Sequence, residues 1–406
     1  MKREGVLKWI DSTLTADMLL ESSSDEDDSS TENDTSESSE ESSSDDDMFM
    51  LSIRALVKEK RYLSLRKHRP KTKELANFIF RADDKTFKKE ARMSREAFFG
   101  ILEKIRSHSV FQNKARNDQT DPADQFMVAL GRLGFHGNAA SLWNVGTRFG
   151  VGEGTVKLFT FRIIQSLLSL ESDVVSWPNM QERDAIKERI KEKFKFPNCI
   201  GMVDGTSIGL ESKPVKGGED YYTRKGNYAL NAMIICDDQR RIRHVMAGFP
   251  GGAHDCRVFL YSKIAKNSPK YFTTGEYLLA DSAYPVSEIT VAPYKKPAAS
   301  TSENEKFNFY HSRTRIAAEH TIGILKGRFK SLKSLRINIG NKKDHAWAVY
   351  WIRACCVLHN LLQNDEYDES WLEPDEDEPL GRFVVPESSE RGQKKREALK
   401  RIVLRV

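Results

Sequence analysis

Three acids of this 406-residue chain sit where acids are costly to keep. Asp204 closes the apolar run Cys199-Ile-Gly-Met-Val, Asp281 closes Tyr277-Leu-Leu-Ala, and Glu319 lies in the helical stretch Arg313-Thr-Arg-Ile-Ala-Ala-Glu-His-Thr-Ile-Gly-Ile-Leu-Lys. A carboxylate at the end of a buried strand is desolvated and needs a cation or a donor to stay charged. Two strand ends and one later helix therefore suggest a hard divalent cation, Mg²⁺ or Mn²⁺, in oxygen ligands between neighbouring strands. Without that cation, adjacent Asp204 and Asp281 could not both ionise. Glu319 would complete a second position, and two ions roughly 3.5–4 Å apart activate water and steady the leaving oxygen of an in-line displacement. The expected chemistry is phosphodiester cleavage that leaves a 3′-hydroxyl, itself able to attack another phosphodiester.

Other groups extend this constellation. Asp255, in Gly251-Gly-Ala-His-Asp-Cys-Arg, reads equally as a helix cap or as a metal ligand with His254 beside it. Arg315, Ile322 and Lys326 stand at −4, +3 and +7 from Glu319, on one helical stripe. That stripe suits a phosphate backbone, or else ordinary i,i+4 ion pairs on a solvated face. Arg328, Lys330, Lys333 and Arg336 carry the basic character further. The loop from Lys213 to Tyr228 interleaves bases with aromatics. Tyr221, Tyr222, Arg224 and Lys225 are candidate nucleic-acid contacts there, unless the tyrosines only pack on a sheet.

The elements that must position these residues alternate in a telling order. Strands are expected at Ile200–Asp204, Tyr228–Asp237, Ile242–Gly248, Tyr277–Asp281 and Ile289–Pro293, the second and third joined by a hairpin turn. A helix begins at Asp255, another covers Phe307–Leu325, and the closing helix from Trp347 is apolar nearly all round and so buried. Three antiparallel strands, a helix, then parallel strands and helices describe an α/β fold of the ribonuclease-H-like kind, with the first and fourth strands adjacent at its centre.

Upstream the pattern is all-α. Ser94 caps one helix and Pro122 opens another. Asn138 to Arg162 has a helix-turn-helix cadence, with Gly150 at a turn position that needs positive φ. Glu153, Thr155, Lys157 and Arg162 would meet a major groove if the second helix enters one, although such corners also occur without DNA. The expected organisation is a disordered acidic, Ser-rich tail at 1–50 and a basic helical segment at 51–92. A helical domain follows at 93–196, a catalytic α/β domain at 197–363, and an acidic linker with a basic C-terminal tail at 364–406.

Charge is unevenly spread. Residues 21–47 hold 13 acids, 11 serines and no base; with them set aside, the formal +5 of the chain becomes +18 for the remainder. So basic a body usually meets a polyanion, nucleic acid first. It also argues against a carboxylate glycosidase, whose cleft would be neutral and aromatic-lined. The five cysteines show no CxxC or zinc-like spacing and read as reduced thiols of an intracellular protein. No apolar run approaches the roughly 20 residues of a membrane span. The start of the chain does not read as a secretory signal, and Lys394-Lys-Arg fits a short nuclear import signal.

Six ordered motifs carry a resemblance. Gly201-Met-Val-Asp-Gly-Thr, Tyr222-Thr-Arg-Lys-Gly, Gly252-Ala-His-Asp-Cys-Arg-Val-Phe, Leu278-Leu-Ala-Asp-Ser-Ala-Tyr-Pro, Ala318-Glu-His-Thr-Ile-Gly-Ile-Leu-Lys-Gly-Arg-Phe and Ala354-Cys-Cys-Val-Leu-His-Asn resemble those of PIF/Harbinger-type DDE transposases and their domesticated nuclease relatives. The resemblance spans 198–362 and, more loosely, 93–170. It implies a ribonuclease-H-like DDE nuclease with Asp204, Asp281 and Glu319 as catalytic acids and Asp255 among the metal ligands. It further implies action on terminal inverted repeats, often with a Myb-like partner that assists DNA binding and nuclear entry, and a homo-oligomer is compatible with it. The competing class is a domesticated, non-enzymatic adaptor that keeps the fold and binds DNA or chromatin.

Overall fold

The computed structural model describes residues 6–7, 9–12, 41–60, 74–113, 118–369 and 387–405. Contacts divide the chain into two units, Met1–Pro70 and Lys71–Val406. In the first, a helix runs Glu41–Glu59, so it begins inside the stretch expected to lack structure. Most of the acidic segment, and the basic residues 61–73, lie outside the described residues.

The second unit is built on a five-stranded sheet in the order β3-β2-β1-β4-β5. Its strands are β1 (Cys199–Leu210), β2 (Tyr228–Cys236), β3 (Ile242–Pro250), β4 (Tyr277–Ala280) and β5 (Thr290–Val291). β1–β2 and β2–β3 pair antiparallel; β1–β4 and β4–β5 pair parallel. The first and fourth strands are thus neighbours, as the order of elements requires.

β1 is longer than expected and does not end at Asp204. Beyond it, Thr206, Ile208 and Leu210 are buried in alternation, the period of a half-buried strand. Gly205 and Gly209 interrupt the apolar pattern because other groups press on them. A Cβ at Gly209 would lie 2.5 Å from the Lys333 carbonyl oxygen. In the β2–β3 turn, Arg240 takes φ 67°, and the buried Asp237 carboxylate accepts from the backbone N–H groups of Gln239 and Arg241.

The helical segment forms as expected at its caps. Ser94 accepts from Ala97 N–H, and Asp121 precedes Pro122 at the start of helix Pro122–Leu133. Gly150, at φ 61°, sits in the corner between helices Leu142–Arg148 and Glu153–Leu168. This segment is not walled off at 196–197, however. One apolar core joins Phe98, Phe126, Leu130 and Ile163 to Leu230 and Ile234 of the sheet and to Trp351 and Leu358 of helix Lys342–Leu361. Asn360 pins that closing helix to β3, accepting from Ile242 N–H at 2.8 Å and donating to its carbonyl at 2.7 Å. The opposite face of the sheet is covered by Val258 and Phe259.

The C-terminal segment is not a tail throughout. Residues Glu390–Leu404 form a helix whose Leu399 and Val403 are buried with Tyr277, Val291 and Phe307, beside the parallel edge of the sheet. Two of the three bases expected to form an import signal are engaged there. The Lys395 ammonium stands 4.6 Å from the Tyr277 ring centre and donates to the Glu276 carbonyl; the Arg396 guanidinium lies 4.0 Å over the Tyr294 ring. Among the described residues, no helix is long and apolar enough to cross a membrane.

Candidate active site

The parallel register of β1 and β4 pairs Val203 with Ala280. The next residue is an aspartate in each case, within β1 and just past the end of β4, so Asp204 and Asp281 are brought side by side. Both carboxylates face one guanidinium. Arg315, on helix Ser302–Arg328, donates from Nη2 to Asp204 Oδ2 at 2.8 Å, and its Nη1 lies 3.5 Å from Asp281 Oδ1. The Arg315 side chain is 10% exposed, Asp204 17% and Asp281 36%, so the cluster opens to solvent on the Asp281 side.

Asp255 completes the group from a third direction. It is the first residue of helix Asp255–Tyr261, whose cap is His254: the His254 Nδ1 accepts from Cys256 N–H at 3.3 Å. Asp255 is therefore not the cap. Its Oδ1 accepts from Asn231 Nδ2 at 2.7 Å, and its carboxylate occupies the space above Gly205, where a Cβ would meet Cγ at 2.2 Å. Glycine after Asp204 is thus a requirement of close approach. Asn231 was not anticipated, although an amide inside the apolar strand Tyr-Ala-Leu-Asn-Ala-Met-Ile-Ile was a visible signal.

Glu319 is one turn beyond Arg315 on the same helix and is exposed. The stripe read from its spacing does not present acid and base together to solvent: Arg315, Ile322 and Lys326 are buried, and Glu319 is not. Among the described residues, no three acids, histidines or cysteines stand in an arrangement that could already hold a metal ion.

Burial raises the Asp204 pKa to about 7; Arg315 pulls it back, while Asp281, Asp255 and Glu319 push it further up. One guanidinium does not offset desolvation and three neighbouring acids. Tyr284 lies near the same acids, and its buried hydroxyl, like Asn231 Oδ1 and Arg315 Nε, has no hydrogen-bond partner among the described residues. A set of hard oxygens with surplus negative charge fits a hard divalent cation. Burial lowers the His254 pKa, with Lys295 and Arg224 acting the same way and Asp281 against, which puts both cations near the Asp255 helix start.

The expected DNA contacts fall into two groups. Arg224 and Lys225 are exposed on the loop before β2. Lys157 is exposed and lines a cavity of about 880 Å³ with Trp143, Phe161, Arg336 and Trp347. Of the others, Arg162 is half-buried and Arg315, Lys326 and Arg328 are buried. Arg162 donates to Gln125 Oε1 at 3.3 Å, and Phe161 of the same helix packs on Trp347 with ring centres 5.7 Å apart. Lys326 is 6% exposed and Arg328 2%; the latter donates to Asp365 through both Nη atoms at 3.0 Å. Lys326 and Arg328 are therefore interior groups. Their run of bases follows a helix end that turns into the core.

Residues 203–360 match the model of a family described as DDE superfamily endonuclease. The chain is 28% identical over 251 residues to the Arabidopsis thaliana protein named Antagonist of like heterochromatin protein 1, an overlap of 59% of this chain and 61% of that one. It is 27% identical over 298 residues to an Arabidopsis thaliana "Protein ALP1-like", 69% and 71% of the two chains. To the Mus musculus protein named "Putative nuclease HARBI1" it is 24% identical over 281 residues, 68% and 77% respectively. The match thus spans about three fifths of the first relative's length. No solved structure matches the chain.

Proposed function

We propose that this chain, whose residues 203–360 match the DDE superfamily endonuclease model, is a divalent-metal-dependent endonuclease or transposase of the PIF/Harbinger type that hydrolyses DNA phosphodiesters. The observation that carries the reading is the convergence of Asp204 and Asp281, from adjacent parallel strands, on a single cationic centre. The strand order supports a ribonuclease-H-like layer as the frame.

Asp204, Asp281 and Asp255 would hold the first ion, with Glu319 reaching toward a second; Mg²⁺ or Mn²⁺ there supplies Lewis acidity toward phosphate oxygens and a lowered pKa for water. The chain's own residues prepare that centre. Gly205 lets Asp255 close on β1, Asn231 Nδ2 orients the Asp255 carboxylate, and His254 sets the helix start from which it projects. Arg224, Lys225 and Lys295 provide cations for the approaching backbone. A 3′-hydroxyl product, strand transfer, terminal inverted repeats, a Myb-like partner, self-association and nuclear residence all belong to this reading.

A second reading is a chromatin or DNA adaptor without catalysis. It is favoured by the name of one relative, an antagonist of a like-heterochromatin protein, and by the guanidinium seated between the two aspartates. Nicking of matched and scrambled terminal-repeat DNA in Mg²⁺, Mn²⁺ and EDTA separates the two. The nuclease reading expects metal-dependent cleavage lost in Asp204→Asn and Asp281→Asn, with bulk DNA affinity retained. Binding without cleavage in any metal leaves the adaptor.

A further inference from the structure

Arg315 occupies a place that the chemistry reserves for something else. Its guanidinium spans Asp204 and Asp281, at 2.8 and 3.5 Å, from the wall opposite the strands. It is 9% exposed, and its Nε has no partner among the described residues, so the two carboxylates are what hold it. The planar fork explains the choice of arginine: two carboxylates on adjacent strands are met by two nitrogens of one rigid group, which an ammonium cannot do. Beside a dication the Arg315 guanidinium competes for the same two carboxylates, because like charges a few ångströms apart repel strongly in a partly desolvated site.

We infer that Arg315 is a resident counter-cation: it holds Asp204 and Asp281 together in the metal-free protein and must leave that place for a divalent ion to enter. The inference rests on the nuclease reading of the same acids. It accounts for two observations together. The acids are assembled without forming a ready metal cage among the described residues, and the cation they share is a flexible side chain, while Gly205 N–H and Ala283 N–H meet their other oxygens. Glu319 stands at the i+4 position on the Arg315 helix, within reach of the fork as the first ion enters and before a second is bound. Metal loading is then an exchange of one cation for another. The metal-free acids are never left to repel each other, and the affinity for the ion is lowered by the competition.

The experiment measures Mn²⁺ binding to the full chain, without DNA, by electron paramagnetic resonance and calorimetry. The proteins compared are wild type, Arg315→Gln, Arg315→Lys and Asp204→Asn. Arg315→Gln should bind Mn²⁺ at least about tenfold more tightly, a coupling of ordinary size, and Arg315→Lys should fall between it and wild type. Mn²⁺ should raise the melting temperature of Arg315→Gln by more than it raises that of wild type. In the wild-type chain, the ¹⁵Nε resonance of Arg315 should shift as Mg²⁺ is added, which needs no variant to fold. Equal or weaker Mn²⁺ binding by a folded Arg315→Gln, or an Nε resonance unmoved by saturating Mg²⁺, overturns the inference while Asp204-dependent binding keeps the nuclease reading intact. If wild type and Arg315→Gln both fail to bind Mn²⁺, the metal-centre reading itself fails.

Discussion

Gly205 lies directly against the Asp255 carboxylate, so that a Cβ on the glycine would meet Cγ at 2.2 Å. The residue after Asp204 is bare because a second acid, fifty residues along the chain, needs its volume. Gly205→Ala should therefore push Asp255 away, weaken Mn²⁺ binding and reduce cleavage by about tenfold or more, in the range seen when groups that support metal ligands are lost. Overpacking of this kind costs about 1–3 kcal/mol, read as a lowered urea midpoint. Unchanged metal affinity in Gly205→Ala would remove Asp255 from the centre.

Glu319 separates function from stability. It is exposed, and surface changes away from packing stay within about 0.5 kcal/mol. Glu319→Gln should leave the thermal melt where it is and lower metal-dependent nicking by about 10²–10³, the usual loss when charge stabilisation at a reacting centre is removed. Full nicking activity in this variant would dismiss Glu319 from the mechanism.

His359 predicts an acid-side loss of stability. Burial lowers its pKa to about 4, and its Nε2 sits 2.9 Å from the Arg240 carbonyl oxygen in the β2–β3 turn. The unfolded ring titrates near its ordinary 6.5, so unfolding takes up a proton between these values. The His359 contribution is whole above about pH 6.5 and drains away as the pH falls through 4. Urea midpoints from pH 7.5 to 4 should fall less steeply in His359→Gln, by a slope of about one proton. Parallel curves would show that this ring is not buried neutral.

Leu399 tests the C-terminal helix as a packed element. Leu399→Ala removes a buried side chain from the cluster with Tyr277, Val291 and Phe307, and deletions of this size cost about 2–5 kcal/mol. Equilibrium unfolding should report that loss. A variant as stable as wild type would mean that the helix does not pack on the sheet.

Much of the frame was legible because it is written in local pattern. Asp204 and Asp281 stood out as acids beside apolar runs, and the order of hairpin, helix and later strands placed their strands together. Serine, proline and glycine marked the caps and the Gly150 corner through their own backbone chemistry. What stayed hidden depends on contacts far apart in sequence. The length of β1 was masked by Gly205 and Gly209, which are small for the sake of Asp255 and Lys333. Lys326 and Arg328 were read as solvent-facing from their charge, yet Asp365 receives Arg328 inside the fold. Arg315 is 111 residues from Asp204, and no helical spacing could reveal their pairing. Helix Glu390–Leu404 offers only Leu399 and Val403 as a buried pair one turn apart, too faint a stripe to declare itself.

The distance along the chain between the sheet's parallel edge and the helix that shelters it has a bearing on biosynthesis. β5 leaves the ribosome about a hundred residues before Leu399 and Val403 can reach it. Throughout that interval a nascent chain exposes an unsheltered strand, the kind of surface that recruits other chains. Translation speed and chaperone supply, rather than the finished protein's stability, should then decide how much of this protein a cell obtains.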